Sequence, residues 1–160
     1  MAKIDSIAFN RHNSSDKTDI INVSSSVGVR GVNHTDDVIV VQALLKYALE
    51  HKRDFRNEEF PEPCGAFLKT TSQLIKKYQR YHNRNGSLVS IDGRIDPAEG
   101  SAYAKGSRKF WTIYALNIDA VEAAFLSGRK SAIDGVCSRW PFIKKILNKN
   151  GVGTLNLELE

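Results

Sequence analysis

Two stretches decide the fold. Val27-Gly28-Val29-Arg30-Gly31-Val32-Asn33-His34-Thr35-Asp36-Asp37-Val38 continues through Val41-Gln42-Ala43-Leu44-Leu45. Further on, Thr70-Thr71-Ser72-Gln73-Leu74-Ile75-Lys76-Lys77-Tyr78-Gln79 is followed by Ile91-Asp92-Gly93-Arg94-Ile95-Asp96-Pro97. Each reads as a flexible or capped lead into an amphipathic helix with a glutamine on or beside its apolar face. In the first, Asn33 or Thr35 supplies a side-chain oxygen suited to capping exposed amides. Asp36 and Asp37 then fall in the first turn, where the helix dipole favours negative charge. That explanation outweighs reading the pair as a catalytic dyad. Val38, Val41, Leu45 and Leu49 recur at helical spacing, with Leu44 beside them. Gln42 borders this face. It either bonds a loop backbone, the favoured reading, or points into a ligand groove.

The second helix is expected from Thr70 or Thr71 to Asn83. Leu74, Ile75, Tyr78 and Tyr81 or His82 face inward, and Lys69, Lys76, Lys77, Arg80 and Arg84 outward. A basic helix interleaved with tyrosines is one footprint of nucleic-acid binding. Lysines solvating one face while tyrosines fill the core edge is the commoner arrangement, so nucleic acid is disfavoured as a partner. Asn85-Gly86 ends the helix with residues tolerant of positive φ, and Asp92-Gly93 is a turn.

The succession of a Gly-rich lead-in, Asn33, Asp37-Val38, Val41-Gln42-x-Leu44-Leu45, a threonine, Ile75, Tyr78-Gln79 and Asp92-Gly93-x-Ile95-x-Pro97 resembles the bacterial peptidoglycan-binding-like domain. The resemblance covers residues 27–117, closing on Ala115-Leu116-Asn117. It implies a mainly α fold, a small helical bundle, and a non-catalytic module that binds cell-wall peptidoglycan. The ligand is then expected in a shallow groove near the helix starts and the Asp-Gly turn. By motif position alone, that places Gln42, Tyr78, Asp92 and Arg94 near it. Two departures stand out. The charged connection His51–Glu62 is long, and Pro61 and Pro63 oppose a helix through it. Residues 98–107 intervene as an insertion before a third helix expected at Ser107–Asn117, so groove access depends on where they lie.

The 160 residues fit one domain with a real core. Hydrophobic residues at 41% and charged residues at 26% mark an ordinary globular chain. With 23 basic against 18 acidic residues, the net charge of +5 favours anionic partners without identifying one. No apolar run reaches the roughly 20 residues a membrane helix needs. Met1–Asn10 alternates like a short strand and lacks the apolar core of a secretory signal. Cytoplasmic synthesis is therefore expected, with any encounter with periplasm or cell wall requiring another delivery route. Cys64 and Cys137 read as two buried or semi-buried thiols or, alternatively, as one disulfide closing a long loop. Residues 12–17 have loop composition and 20–23 an extended one. The Gly28/Gly31 pair lacks the Gly-Lys-Ser/Thr ending of a phosphate loop.

Beyond Asn117, Asp119–Leu126 and Ser138–Lys149 read as helices, the latter with Pro141 in its first turn. Leu155, Leu157 and Leu159 alternate as a strand expected to pair with Lys3–Phe9. The chain thus divides into residues 27–117 and a helical extension, 118–160, within a single domain. No internal repeat is evident.

No metal-binding or nucleophile motif appears among the four histidines and two cysteines, and no cofactor or metal is expected. Calcium at Asp92, Asp96 and Glu99 lacks the ligand spacing of an EF-hand. For a glycosidase, which needs two carboxylates about the scissile bond, Glu58 with Glu59 and Asp92 with Asp96 are the candidates. Peptidoglycan binding leads. An adaptor or structural protein that binds a protein partner is the alternative, in a phage or secretion-system setting, and a cell-wall hydrolase is the third.

Overall fold

The protein is described by a computed structural model covering residues 1–10 and 13–150. Its elements run β1 (Lys3–Asn10), β2 (Asn13–Asn22), β3 (Val27–Gly28), α1 (Thr35–Leu49), a 3-10 turn at Arg53–Phe55, α2 (Lys69–Arg84), β4 (Arg94–Ile95), α3 (Thr112–Leu126), α4 (Ala132–Arg139) and α5 (Pro141–Asn150). The described residues form a mixed α/β arrangement of five helices and two small two-stranded antiparallel sheets, β1–β2 and β3–β4.

Helix α1 is central. Beyond the expected apolar face, Val40, Ala43 and Ala48 are also buried, because α2, α3, α4 and α5 all pack against it. It starts at Thr35, and the neighbouring polar side chains are used elsewhere than as caps. Asn33 adopts positive φ (56°) and folds back on the preceding loop, accepting from the Gly28 amide at 2.7 Å and donating to the carbonyls of Gly28 and Gly31. Asp37 is fully buried. Its carboxylate accepts from the amides of Ser24 (3.0 Å) and Ser25 (3.1 Å), so it anchors the preceding loop.

Lys3–Phe9 lies in a hairpin. β1 pairs with β2, Ile4 opposite Ile21 and Ile7 opposite Thr18; Leu155–Leu159 lies outside the described residues. Closing a short hairpin loop costs far less chain entropy than joining the two ends. The same pairing draws the polar 13–17 stretch into β2 despite its loop composition.

The helices expected at Ser107–Asn117 and Asp119–Leu126 are one helix, α3. No Gly or Pro interrupts it, and Gly128, at φ 70°, ends it. Residues 104–109 instead form a turn closed by the Ala104 amide donating to the Lys109 carbonyl at 2.8 Å. The helix expected at Ser138–Lys149 is two. Ser131 caps α4 by accepting from the Asp134 amide at 3.0 Å. Pro141 then opens α5, and Trp140 before it is forced out of helical geometry (φ −128°, ψ 83°).

The 51–62 connection is largely solvated, as expected, except that Phe55 is wholly buried, edge-on to Tyr81 at 5.4 Å. Both cysteines are free, Cys64 exposed and Cys137 buried, its thiol pushed up to about 11 by burial. Native protein at pH 8 is expected to react rapidly with a thiol reagent at Cys64 alone, Cys137 following only in denaturant. Two fast equivalents would contradict this burial.

Candidate functional site

The region singled out by the sequence motifs is built around two glutamines that do the same thing twice. Gln42 of α1 accepts through Oε1 from the successive amides of Cys64 (2.9 Å) and Gly65 (3.2 Å). Its Nε2 donates to the Ala66 carbonyl (2.9 Å) and the Thr71 hydroxyl (3.2 Å). Gln79 of α2 accepts from the successive amides of Asp92 (3.2 Å) and Gly93 (2.9 Å). It donates to the Arg94 carbonyl (2.9 Å), the Thr112 hydroxyl (3.2 Å) and Asp92 Oδ1 (3.0 Å). In both, the second amide belongs to a glycine of positive φ, Gly65 (76°) and Gly93 (71°), and the threonine sits in the first turn of the next helix. A structural repeat of helix, clamped turn and helix is therefore present where the sequence shows none.

The second turn is further locked by β3. The Val29 amide donates to the Gly93 carbonyl at 3.0 Å. A Cβ at Gly28 would lie 2.2 Å from that same oxygen, so only glycine permits this approach. The turn is thus fixed from both sides and presents Ile91, Asp92 and Arg94 at the surface.

Beside it lies a cleft of about 410 Å³ lined by Lys77, Arg80, Asn83, Arg84 and Ile91. Lys77, Arg80 and Arg84 are spaced i, i+3, i+7 and so share one face of α2. Lys77 is paired with Glu58, whereas Arg80 and Arg84 are exposed and carry no ion pair among the described residues. Two free guanidiniums at a rigid turn suit planar anions, carboxylates or phosphates. The 98–107 segment does not line this cleft. It turns the other way, the Ala102 amide donating to the Ala8 carbonyl of β1 at 2.9 Å.

The four residues assigned by motif position fall into two classes. Gln42 and Tyr78 are buried, and Asp92 and Arg94 lie at the surface turn. Gln42 bonds the 64–66 loop, the favoured alternative from the sequence. Tyr78 donates to Asp119 at 2.6 Å and meets His82 Nε2 at 2.8 Å. Arg94 forms a two-point pair with Asp96 (2.8 and 3.2 Å). The chain matches no protein-family model, no curated protein and no solved structure.

No local sequence pattern marks a second network, on the side of α2 that carries His82. Asp119 binds Tyr78, His82 (2.8 Å) and Lys52 (3.2 Å), and Lys52 also reaches Glu122 at 2.6 Å. Burial opposes ionisation of Asp119, but His82, Tyr78 and Lys52 together outweigh it and hold its carboxyl below the ordinary carboxylate range. Burial, reinforced by Asp119, pushes the Tyr78 phenol well up. Three elements distant in sequence meet here, and only an acidic residue inside α3 could have hinted at it.

Three of the four carboxylates considered for hydrolysis are committed to the scaffold, and Glu59 is exposed. Glu58 pairs with Lys77, Asp92 accepts from Gln79 and from the Arg94 amide, and Asp96 pairs with Arg94. Among the described residues, no group of His, Cys, Asp and Glu is arranged to hold a metal ion, and no helix is long and apolar enough to cross a membrane.

Proposed function

We propose that the protein binds bacterial peptidoglycan without cleaving it, through the cationic cleft beside the Asp92-Gly93 turn. The observation that carries this reading is the pair of exposed guanidiniums, Arg80 and Arg84, which have no ion pair among the described residues, next to a turn held rigid by Gln79 and Gly28. Peptidoglycan stem peptides carry free carboxylates, which a planar cationic pair recognises. The motif resemblance supports the same ligand, and the insertion leaves the cleft open. Gln42 and Tyr78 serve this reading by positioning, since both are buried. Asp92, Arg94 and Ile91 border the ligand.

The test is retention on insoluble peptidoglycan at moderate salt, comparing wild type with the Arg80→Ala/Arg84→Ala double variant. Both residues are exposed, so folding is expected to survive. Loss of two charge-assisted contacts is expected to weaken retention by on the order of 30-fold or more. Wild type passing through unbound, or a double variant retained as well as wild type, overturns this reading. Gln42→Ala is a poor probe of binding because its effect would come through the fold.

A further inference from the structure

His82, on the side of α2 away from Arg80 and Arg84, opens onto a second and different cavity. It holds about 310 Å³ and is walled by Phe9, Phe110, Tyr114, Ala115 and Ile118. The walls are rigid. Phe110 stacks between Tyr103 (4.5 Å) and Tyr114 (6.1 Å), and Phe9 meets Tyr103 edge-on at 5.8 Å. The 98–107 insertion therefore serves here, as the brace of an aromatic pocket. From the pocket's Ile118, an apolar stripe continues along α3 through Val121 and Phe125, spaced i, i+3, i+7 on one helix face. These three residues are 45%, 43% and 82% exposed, and Phe9 is 49% exposed. Single exposed apolar residues are ordinary, but a pocket continued by a stripe two turns long is a contiguous patch.

The charge around it identifies the occupant. The turn that leads into Phe110 carries Lys105, Arg108 and Lys109, all exposed and without an ion pair among the described residues. The acids bordering the stripe, Asp119 and Glu122, are both engaged by Lys52. A second copy of this chain would bring the same basic rim against this one, which opposes self-pairing. We infer that this surface docks an acidic amphipathic helix of a partner protein, one bulky apolar side chain entering the Phe9–Phe110–Tyr114–Ile118 pocket. Its further apolar residues lie along Val121 and Phe125. Two turns of exposed stripe match the i, i+3/i+4, i+7 anchors by which a helix is read in a groove, and the lysine–arginine rim selects acidic flanks. The cavity is large enough for an aromatic or leucine side chain. This surface is independent of the peptidoglycan reading, since it uses none of the residues of the cationic cleft.

The test is selection of a random peptide-display library against the full chain, followed by fluorescence polarisation of the enriched peptides. Enriched sequences are expected to carry net negative charge and two or three large apolar residues at helical spacing. Affinity should fall at least tenfold in Ile118→Glu and in Lys109→Glu, both surface changes whose folding circular dichroism checks, and should be unchanged in Arg80→Ala/Arg84→Ala. The proposal is overturned by no enrichment, by enriched peptides without acidic bias, or by binding that survives Ile118→Glu. It is also overturned by sedimentation showing a wild-type dimer that Ile118→Glu dissolves, because the patch would then be a self-contact.

Discussion

Replacing Gln79 by alanine is expected to lower the unfolding free energy by on the order of 3 kcal/mol. One side chain satisfies the amides of Asp92 and Gly93, the Arg94 carbonyl and the Thr112 hydroxyl, and it is itself fully buried. Truncation leaves all of these without a partner at the junction of α2, β4 and α3, together with a cavity the size of an amide. Effects within one such network do not sum, which keeps the figure below a bond-by-bond total. For a domain of this size the loss corresponds to roughly 6–12 °C in melting temperature. Gln79→Glu separates hydrogen bonding from volume. It fills the space but replaces a donor with a second acceptor, facing Asp92 Oδ1 and the Arg94 carbonyl. It is therefore expected to destabilise about as much as alanine near pH 7. Urea unfolding of both variants is the check, and a Gln79→Glu protein as stable as wild type would remove the clamp from the account. Gln42→Ala is expected to act in the same direction through the 64–66 loop.

The second large effect is electrostatic. Asp119→Asn is expected to cost on the order of 2 kcal/mol at pH 7, because a partly buried carboxylate that holds Lys52, His82 and the Tyr78 hydroxyl loses its charge. The sign of its pH dependence follows from the folded-state shift. Asp119 is held below the ordinary carboxylate range in the native protein. Its contribution is therefore complete above the unfolded value of about 3.9 and is lost as pH falls through the lower folded value. The stability gap between wild type and Asp119→Asn should be flat from about pH 5 to 7 and shrink steadily below about pH 4. Denaturant titrations at several pH values read this directly. A gap that persists unchanged at pH 2 would place the effect in packing instead of charge.

The long periodic segments were legible in the sequence because periodicity reports burial directly. Val38, Val41, Leu45 and Leu49 marked α1, Leu74, Ile75 and Tyr78 marked α2, and Asp92-Gly93 marked its turn by backbone requirement alone. What misled was polar composition inside elements held by distant partners. Asn117 and Asp119 read as a helix end and a new start, yet each is spent on a long-range bond, to Ile21 and to Lys52 respectively. Residues 13–17 read as loop because the strand opposite them is invisible to local composition. Ser131, by contrast, is a local cap signal for α4 that carries its usual meaning. At the candidate site, the basic face of α2 was visible as a charge pattern. Which cations are free was not, since Lys77 is paired with Glu58, a residue 19 positions away.

Asn117 has one more consequence. Its side chain accepts from the Ile21 amide at 2.9 Å and donates to the Ile21 carbonyl at 2.9 Å, imitating a neighbouring strand along the outer side of β2. On the other side of the hairpin, the Ala8 carbonyl of β1 is taken by the Ala102 amide. Both margins of a two-stranded ribbon, which would otherwise offer unpaired backbone to any passing extended chain, are thereby closed at these points. The amide of Asn117 and the insertion thus satisfy backbone groups that the ribbon itself leaves unpaired. Asn117→Leu would leave the buried Ile21 amide and carbonyl without these partners, so it is expected to lower the unfolding free energy in urea titrations.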